Sequence, residues 1–183
     1  YVFPLLLDNQ SGVRQVFNHL YDQGKRRISF VAGAMDSLDN AERMQAFLQE
    51  GCKHKLTIPV YQGNFTEESG YAIAQQIIAS RDLPEAVFCA NDQMAVGFLR
   101  AMSEHRLDAP RDIAVVGFDD VLISRYTRPS LSTVGASRLL WGSLAANWLI
   151  DFLDNGTPFP DYRIPVNLVP RESSAVPVDI PTP

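Results

Sequence analysis

Apolar positions in this chain alternate between two periods from one end to the other. Ser11–Gln23 places Val13, Val16, Phe17 and Leu20 at helical spacing, and Gly24 closes the run. Ile28–Ala32 is a short continuous apolar stretch ended by Gly33, which predicts a buried strand. Asp39–Lys53 returns to the helical period with Met44, Phe47 and Leu48 on one face, and Ile58–Tyr61 reads as the next strand. Thr66 is placed as an N-cap, with Glu67 and Glu68 in the first turn where carboxylates favour the helix dipole, so a helix to about Arg81 follows. Ala86–Ala90 is a strand, and Asp92–Arg106 a helix with Ala95, Phe98, Leu99 and Met102 inward. Ile113–Phe118 is apolar throughout, as a parallel strand covered on both faces requires. Leu131–Val134 is a short strand, Arg138–Asp154 a long helix stopped by Asn155-Gly156, and Tyr162–Leu168 a loosely alternating last strand. At the ends, Val2–Leu7 contains Pro4 and reads as an edge or crossing strand, and the Pro-rich Val176–Pro183 reads as a frayed tail or linker.

Strands alternating with amphipathic helices predict an α/β fold, a doubly wound parallel sheet with helices on both faces and right-handed crossovers. No internal repeat is visible. The 183 residues, 46% of them apolar, can form one domain or two small lobes around a true core. A net charge of −5 argues against a direct grip on nucleic acid, which needs clustered Lys and Arg. Lys25-Arg26-Arg27 is too short for that and reads as a solvated helix-to-strand corner. Cys52 and Cys89 lack any paired spacing, so both are expected as small core hydrophobes in a reducing cytosol, without disulfide or zinc. Neither a signal peptide nor a membrane span is seen, and a soluble, cytoplasmic protein is expected; a leader ahead of Tyr1 stays open.

In an open parallel sheet, ligands bind outside the carboxyl ends of the strands. The residues there are Gly33, Asp36, Ser37 and Asp39 with Arg43 on the following helix, then Asn64 and Phe65, then Asn91 and Asp92, then Asp119 and Asp120. One guanidinium, one aromatic ring, an amide and several carboxylates suit a sugar-like solute, whose hydroxyls donate to carboxylates and accept from guanidinium and amide. Each residue has a plainer reading, Asp92 as a helix cap and Phe65 as a loop anchor; their convergence carries the argument.

Catalytic patterns are missing. There is no GxSxG elbow, no P-loop around Gly24-Lys25 and no GxGxxG after a strand. His19, His54 and His105 have no metal-ligand spacing and read as ordinary surface or partly buried residues. Asp119-Asp120 suggests a phospho-accepting receiver, but that chemistry needs a lysine after a later strand, and the last lysine is Lys55. No enzyme, cofactor or metal is expected.

Several runs together resemble one family. Asp8-Asn9 with Gly12, Gly24 to Gly33, Gly63-Asn64-Phe65-Thr66-Glu67-Glu68-Ser69-Gly70-Tyr71, Ala90-Asn91-Asp92-Gln93-Met94-Ala95-Val96-Gly97, Asp112 to Asp120, Pro129 to Val134, and Val169-Pro170-Arg171-Glu172-Ser173 resemble, in order, the runs of LacI/GalR regulators. The resemblance implies a type I periplasmic-binding-protein-like sensor, present mostly as its C-terminal lobe. Residues 8–134 and 163–175 would form that lobe, and 1–7 and 136–160 would supply crossings and part of an N-terminal lobe. By position, Arg43, Phe65, Asn91 and Asp119 would contact the effector, with Asp8, Asp36 and Asp92 as further candidates. Gly135-Ala136-Ser137 departs from relatives that often carry Gln there, which removes one polar contact and puts the effector class in doubt.

The resemblance further implies a homodimeric transcriptional repressor that senses a sugar or another small metabolite. Operator DNA would be read by an N-terminal helix-turn-helix preceding Tyr1, so the chain is expected to be N-terminally truncated. A sugar sensor or transport receptor without DNA binding is the alternative. The apolar stripe Leu140, Trp141, Leu144, Ala145, Trp148, Leu149 and Phe152 would then lack its native lobe. At roughly 25 cal/mol per Å2, leaving it wet forfeits several kcal/mol, so it is expected to pack on a second copy or a further segment.

Overall fold

The computed structural model describes residues 4–175. The expectations for Val2 and Phe3 and for the Val176–Pro183 tail lie outside them. The elements run β1 (Leu6–Leu7), α1 (Asn9–Asp22), β2 (Ile28–Ala32), α2 (Leu38–Lys53), β3 (Val60–Gln62), α3 (Glu67–Ser80), β4 (Ala86–Cys89), α4 (Asp92–Glu104) and β5 (Ala114–Val116). A 3-10 turn (Leu122–Arg125), β6 (Thr133–Ala136), α5 (Arg138–Asn155), β7 (Arg163–Ile164) and β8 (Val166–Val169) complete the chain.

The central sheet has the order β3-β2-β4-β5, all parallel. β2, β4 and β5 are buried along their whole length, which explains their unbroken apolar runs. Phe30 and Phe88 face each other across β2 and β4, 5.3 Å apart at the ring centroids. Phe47 from α2 sits 5.0 Å from Phe88, and Phe17 from α1 sits 5.6 Å from Phe47. These four rings join two helices to the middle of the sheet, and burying each contributes about 1.5–3 kcal/mol. α1 packs on α2, and α3 on α4. The second pair is drawn together by glycine: a Cβ on Gly70 would strike the Met94 carbonyl, and one on Gly97 the Glu67 carbonyl. The polar signals also act as expected, since Thr66 caps α3 by accepting from Ser69 N at 3.2 Å.

The structure corrects some expectations. The expected parallel sheet holds for its four strands, but β6 and β8 stand apart from it as a two-stranded antiparallel pair. The last strand, expected over Tyr162–Leu168, is broken into β7, parallel to β1, and β8. The third strand starts at Val60 instead of Ile58; Ile58 is buried and anchors the entry. Cys52 is exposed on α2 instead of in the core, whereas Cys89 is buried and its thiol is pushed up by desolvation.

α5 is capped at both ends, by Ser137 at the start and by Gly156 with φ of 67° at the close, yet it buries none of its residues. Trp148 packs near Phe159 and edge-on to Tyr162, with centroids 6.0 and 5.7 Å away. Leu139 remains 82% exposed and Leu153 71%.

Candidate functional site

The strand order reverses between β2 and β4: from β2 the chain steps outward to β3, then crosses back to β4 on the other side. A crevice opens at the carboxyl ends there. Arg43 bridges it. From α2, its Nη1 donates to the Ala90 carbonyl just beyond β4 at 2.7 Å and reaches Asp119 Oδ1, beyond β5, at 3.5 Å. Its Nε donates to Asn9 Oδ1 at 2.8 Å, and its Cζ lies 3.7 Å over the Phe118 ring. Nη2 lies 4.0 Å from Asp39, outside hydrogen-bonding distance. The side chain is 4% exposed, so this orientation is held from several sides. Burial lowers the guanidinium pKa, and the nearby Asp119 and Asp39 carboxylates counter that effect.

Asp119 has φ of 114° and Asp120 φ of 46°, both unfavourable for residues with a side chain. The turn is pinned from both sides. Asp119 N donates to the Val134 carbonyl at 2.7 Å, and Asp120 takes a charged bond from Arg171 Nη2. The Asp119 side chain stays 37% open at its outer edge, while packed protein around the rest pushes its carboxyl up to about 6, against the pull of Arg43. For Asp120 burial also raises the carboxyl, but Arg171, Ser124 and Arg125 outweigh it and leave the pKa below the usual value.

A cleft of about 330 Å3 lies over Arg43 and Asp119, lined also by Leu7, Asp39, Phe118, Val121, Val134, Ala136, Arg138 and Trp141. A smaller cavity of about 190 Å3 opens at the opposite end of the sheet beside Arg27 and Asp82. Arg27 already pairs with Asp82 at 3.5 Å, so little unspent chemistry faces that space.

Two of the four leading candidates, Arg43 and Asp119, line the 330 Å3 cleft. Phe65 and Asn91 stand at the same sheet edge but do not line it. Phe65 adopts φ of 71° and lays its ring where a Cβ on Gly33 would be. Asn91 caps α4, accepting from Met94 N at 3.0 Å and donating to the Phe65 carbonyl at 3.0 Å. Asp92 is buried; it accepts from Val121 N at 2.9 Å and from the Thr133 hydroxyl, and burial pushes its carboxyl up to about 7. The capping role therefore falls to Asn91, and Asp92 ties the Asp119–Val121 turn to β6. Asp8 caps α1 through Ser11 N at 3.0 Å, and Asp36 is exposed in the turn after β2. Asn9, Phe118, Arg138 and Trp141 were not among the candidate site residues, and Trp141 read only as part of the α5 stripe. Asn9 and Phe118 stood inside quoted motifs, but nothing local marks a side chain as the seat of a distant guanidinium. Among the described residues no group of His, Cys, Asp and Glu could hold a metal ion.

A family described as periplasmic binding protein-like domain matches residues 17–174. The HTH-type transcriptional repressor PurR of Escherichia fergusonii is 35% identical over 161 residues, which are 86% of this chain and 47% of that protein. A solved dimeric Lac repressor with a C-terminal deletion superimposes with a TM-score of 0.88 at 27% identity, over 94% of this chain and 64% of the other. A sugar-binding transcriptional regulator of the LacI family from Enterococcus faecalis gives 0.86 at 29% identity, over 94% and 65%. The chain spans about half the length of the curated relatives it matches.

Proposed function

From the premise that this chain belongs to the periplasmic binding protein-like family, in its LacI/GalR branch, we propose that it is the effector-sensing part of a DNA-binding transcriptional repressor. One observation carries the reading: a buried guanidinium and a carboxylate on a strained turn face an open cleft at the strand-order reversal. A sugar or related polar metabolite fits it. Its hydroxyls would donate to Asp119 and Asp39 and accept from Arg43 Nη2, with the Trp141 ring at the mouth. Phe65 and Asn91 then support the site from its edge.

The ligand shifts a balance of conformations by its unequal affinity for them, and that shift reaches the DNA. Operator DNA is the proposed macromolecular partner, contacted by a helix-turn-helix and not by this acidic chain. The proposed assembly is a homodimer, formed over the exposed Leu122, Ile123 and Tyr126 at the 3-10 turn. A cytoplasmic location belongs to this reading; among the described residues no helix is long and apolar enough to cross a membrane. Turnover is not part of it. His19 Nε2 approaches Ser174 Oγ at 2.8 Å, but that serine is fully buried, bonds onward to Ser132 and lines no part of the cleft.

The test is calorimetry of the full-length protein against monosaccharides and related metabolites, with promoter binding measured in parallel. One compound is expected to bind and to change promoter affinity. Asp119→Asn should weaken that compound about tenfold or more, as loss of a charge-assisted hydrogen bond does. A protein that binds no compound and ignores its promoter at low salt overturns the proposal.

A further inference from the structure

Asn9 is completely buried and fully used. Its Oδ1 accepts from Arg43 Nε at 2.8 Å, and its Nδ2 donates to Asp39 Oδ1 and to Glu42 Oε2, both at 2.8 Å. Only this orientation of the amide works. Turned over, it would aim a carbonyl at two carboxylates and an NH2 at a guanidinium. Glu42 is held in turn by a two-pronged contact, Oε1 to Arg163 Nη2 and Oε2 to Arg163 Nη1, each at 2.8 Å. Arg163 Nη1 also donates to the Leu7 carbonyl at 3.2 Å. Arg163 lies on β7 and Leu7 on β1, two strands paired in register with each other and in no other sheet.

An unbroken line of hydrogen bonds thus runs from the β1–β7 pair through Arg163, Glu42 and Asn9 to the guanidinium in the cleft. We infer that Glu42 and Arg163 are positioning residues for Arg43, setting its orientation through Asn9, so that the β1–β7 pair and the cleft report on each other. The inference deepens the sensor reading and rests on it only for its biological meaning. If β1 and β7 are crossings between lobes, a ligand that pulls on Arg43 pulls on a crossing, and lobe movement alters Arg43.

The experiment needs no ligand, so its failure is distinct from failure of the sensor reading. The arginine side-chain N–H signals of the full-length protein are followed by NMR, with Arg43 Nε–H assigned by its loss in Arg43→Lys. Glu42→Gln keeps the shape but weakens the acceptor; Arg163→Lys keeps the charge but loses the fork. Both should shift Arg43 Nε–H and speed its solvent exchange about fivefold to tenfold, the effect of losing one ordinary hydrogen bond. The Arg171 signals, held by Asp120 and Ser124, should stay put. An unmoved Arg43 signal in both folded variants overturns the inference. So does equal movement of Arg171, which marks general loosening. If one variant fails to fold, the other decides alone.

Discussion

Helices α4 and α5 both carry apolar side chains on every turn, and they meet opposite fates. α4 buries Met94, Ala95, Phe98, Leu99 and Met102 against the sheet and α3. α5 is longer, is capped at both ends, and buries nothing fully. An apolar stripe states that a partner is required, and where the partner stands is a tertiary matter. α4 has its partner within the chain. α5 covers part of its stripe with Phe159 and Tyr162 and leaves Leu149, Ile150 and Leu153 half or more exposed.

The largest effect that would break this contrast lies in the sheet core. Phe88→Ala removes a ring packed against Phe30 and Phe47 and should cost about 3–5 kcal/mol in urea unfolding of this chain. A loss as small as a surface change would mean the four-ring cluster is not the core. Next comes the buried Asp92, which links α4 to β6. Its carboxyl is raised to about 7 from 3.8, so between about pH 4 and 7 the folded state keeps a proton that the unfolded state releases. Stability therefore declines as pH rises through that window and levels off above it. Asp92→Asn can still accept from Val121 N and donate to Thr133. The wild-type minus variant difference should change by about 1 kcal/mol or more across the window, read from unfolding at several pH values. A flat difference would show that the carboxyl is solvated.

A smaller effect compares the caps. Thr66→Ala should cost about 1 kcal/mol, because α3 is locked against α4 and its lost bond is felt in global unfolding. Ser137→Ala should cost less in global unfolding, because α5 can fray without opening the sheet. The smallest change expected is Leu149→Ala, within about 0.5 kcal/mol in this chain. A large loss there, with Phe88→Ala mild, would reverse the contrast and mean that α5 is the better packed element.

Local chemistry made most of the fold legible. The β2 and β4 spans, the Thr66 cap and the stripe Val13, Val16, Phe17 and Leu20 follow from side-chain period and capping residues. The antiparallel β6–β8 pair was not legible, because a strand's direction is set by where the chain re-enters, and α5 intervenes. The lining of the candidate cleft was half legible. The strand-end rule led to Arg43 and Asp119, but it could not say that Asn91 spends its amide as a cap or that Asp92 is sealed in.

By itself the sequence determined the order of elements and the sheet edge where the candidate side chains gather, since these rest on residues within a few positions of one another, and the family, since its motifs follow one another in order along the chain. Only the tertiary structure decided which polar groups are already bonded within the fold and which face the cleft. Arg43 meets Asn9 from 34 positions away, Glu42 meets Arg163 from 121, and Asn91 meets the Phe65 carbonyl from 26. A buried donor or acceptor must be satisfied by whatever the fold brings beside it, and no local pattern records which neighbour that is.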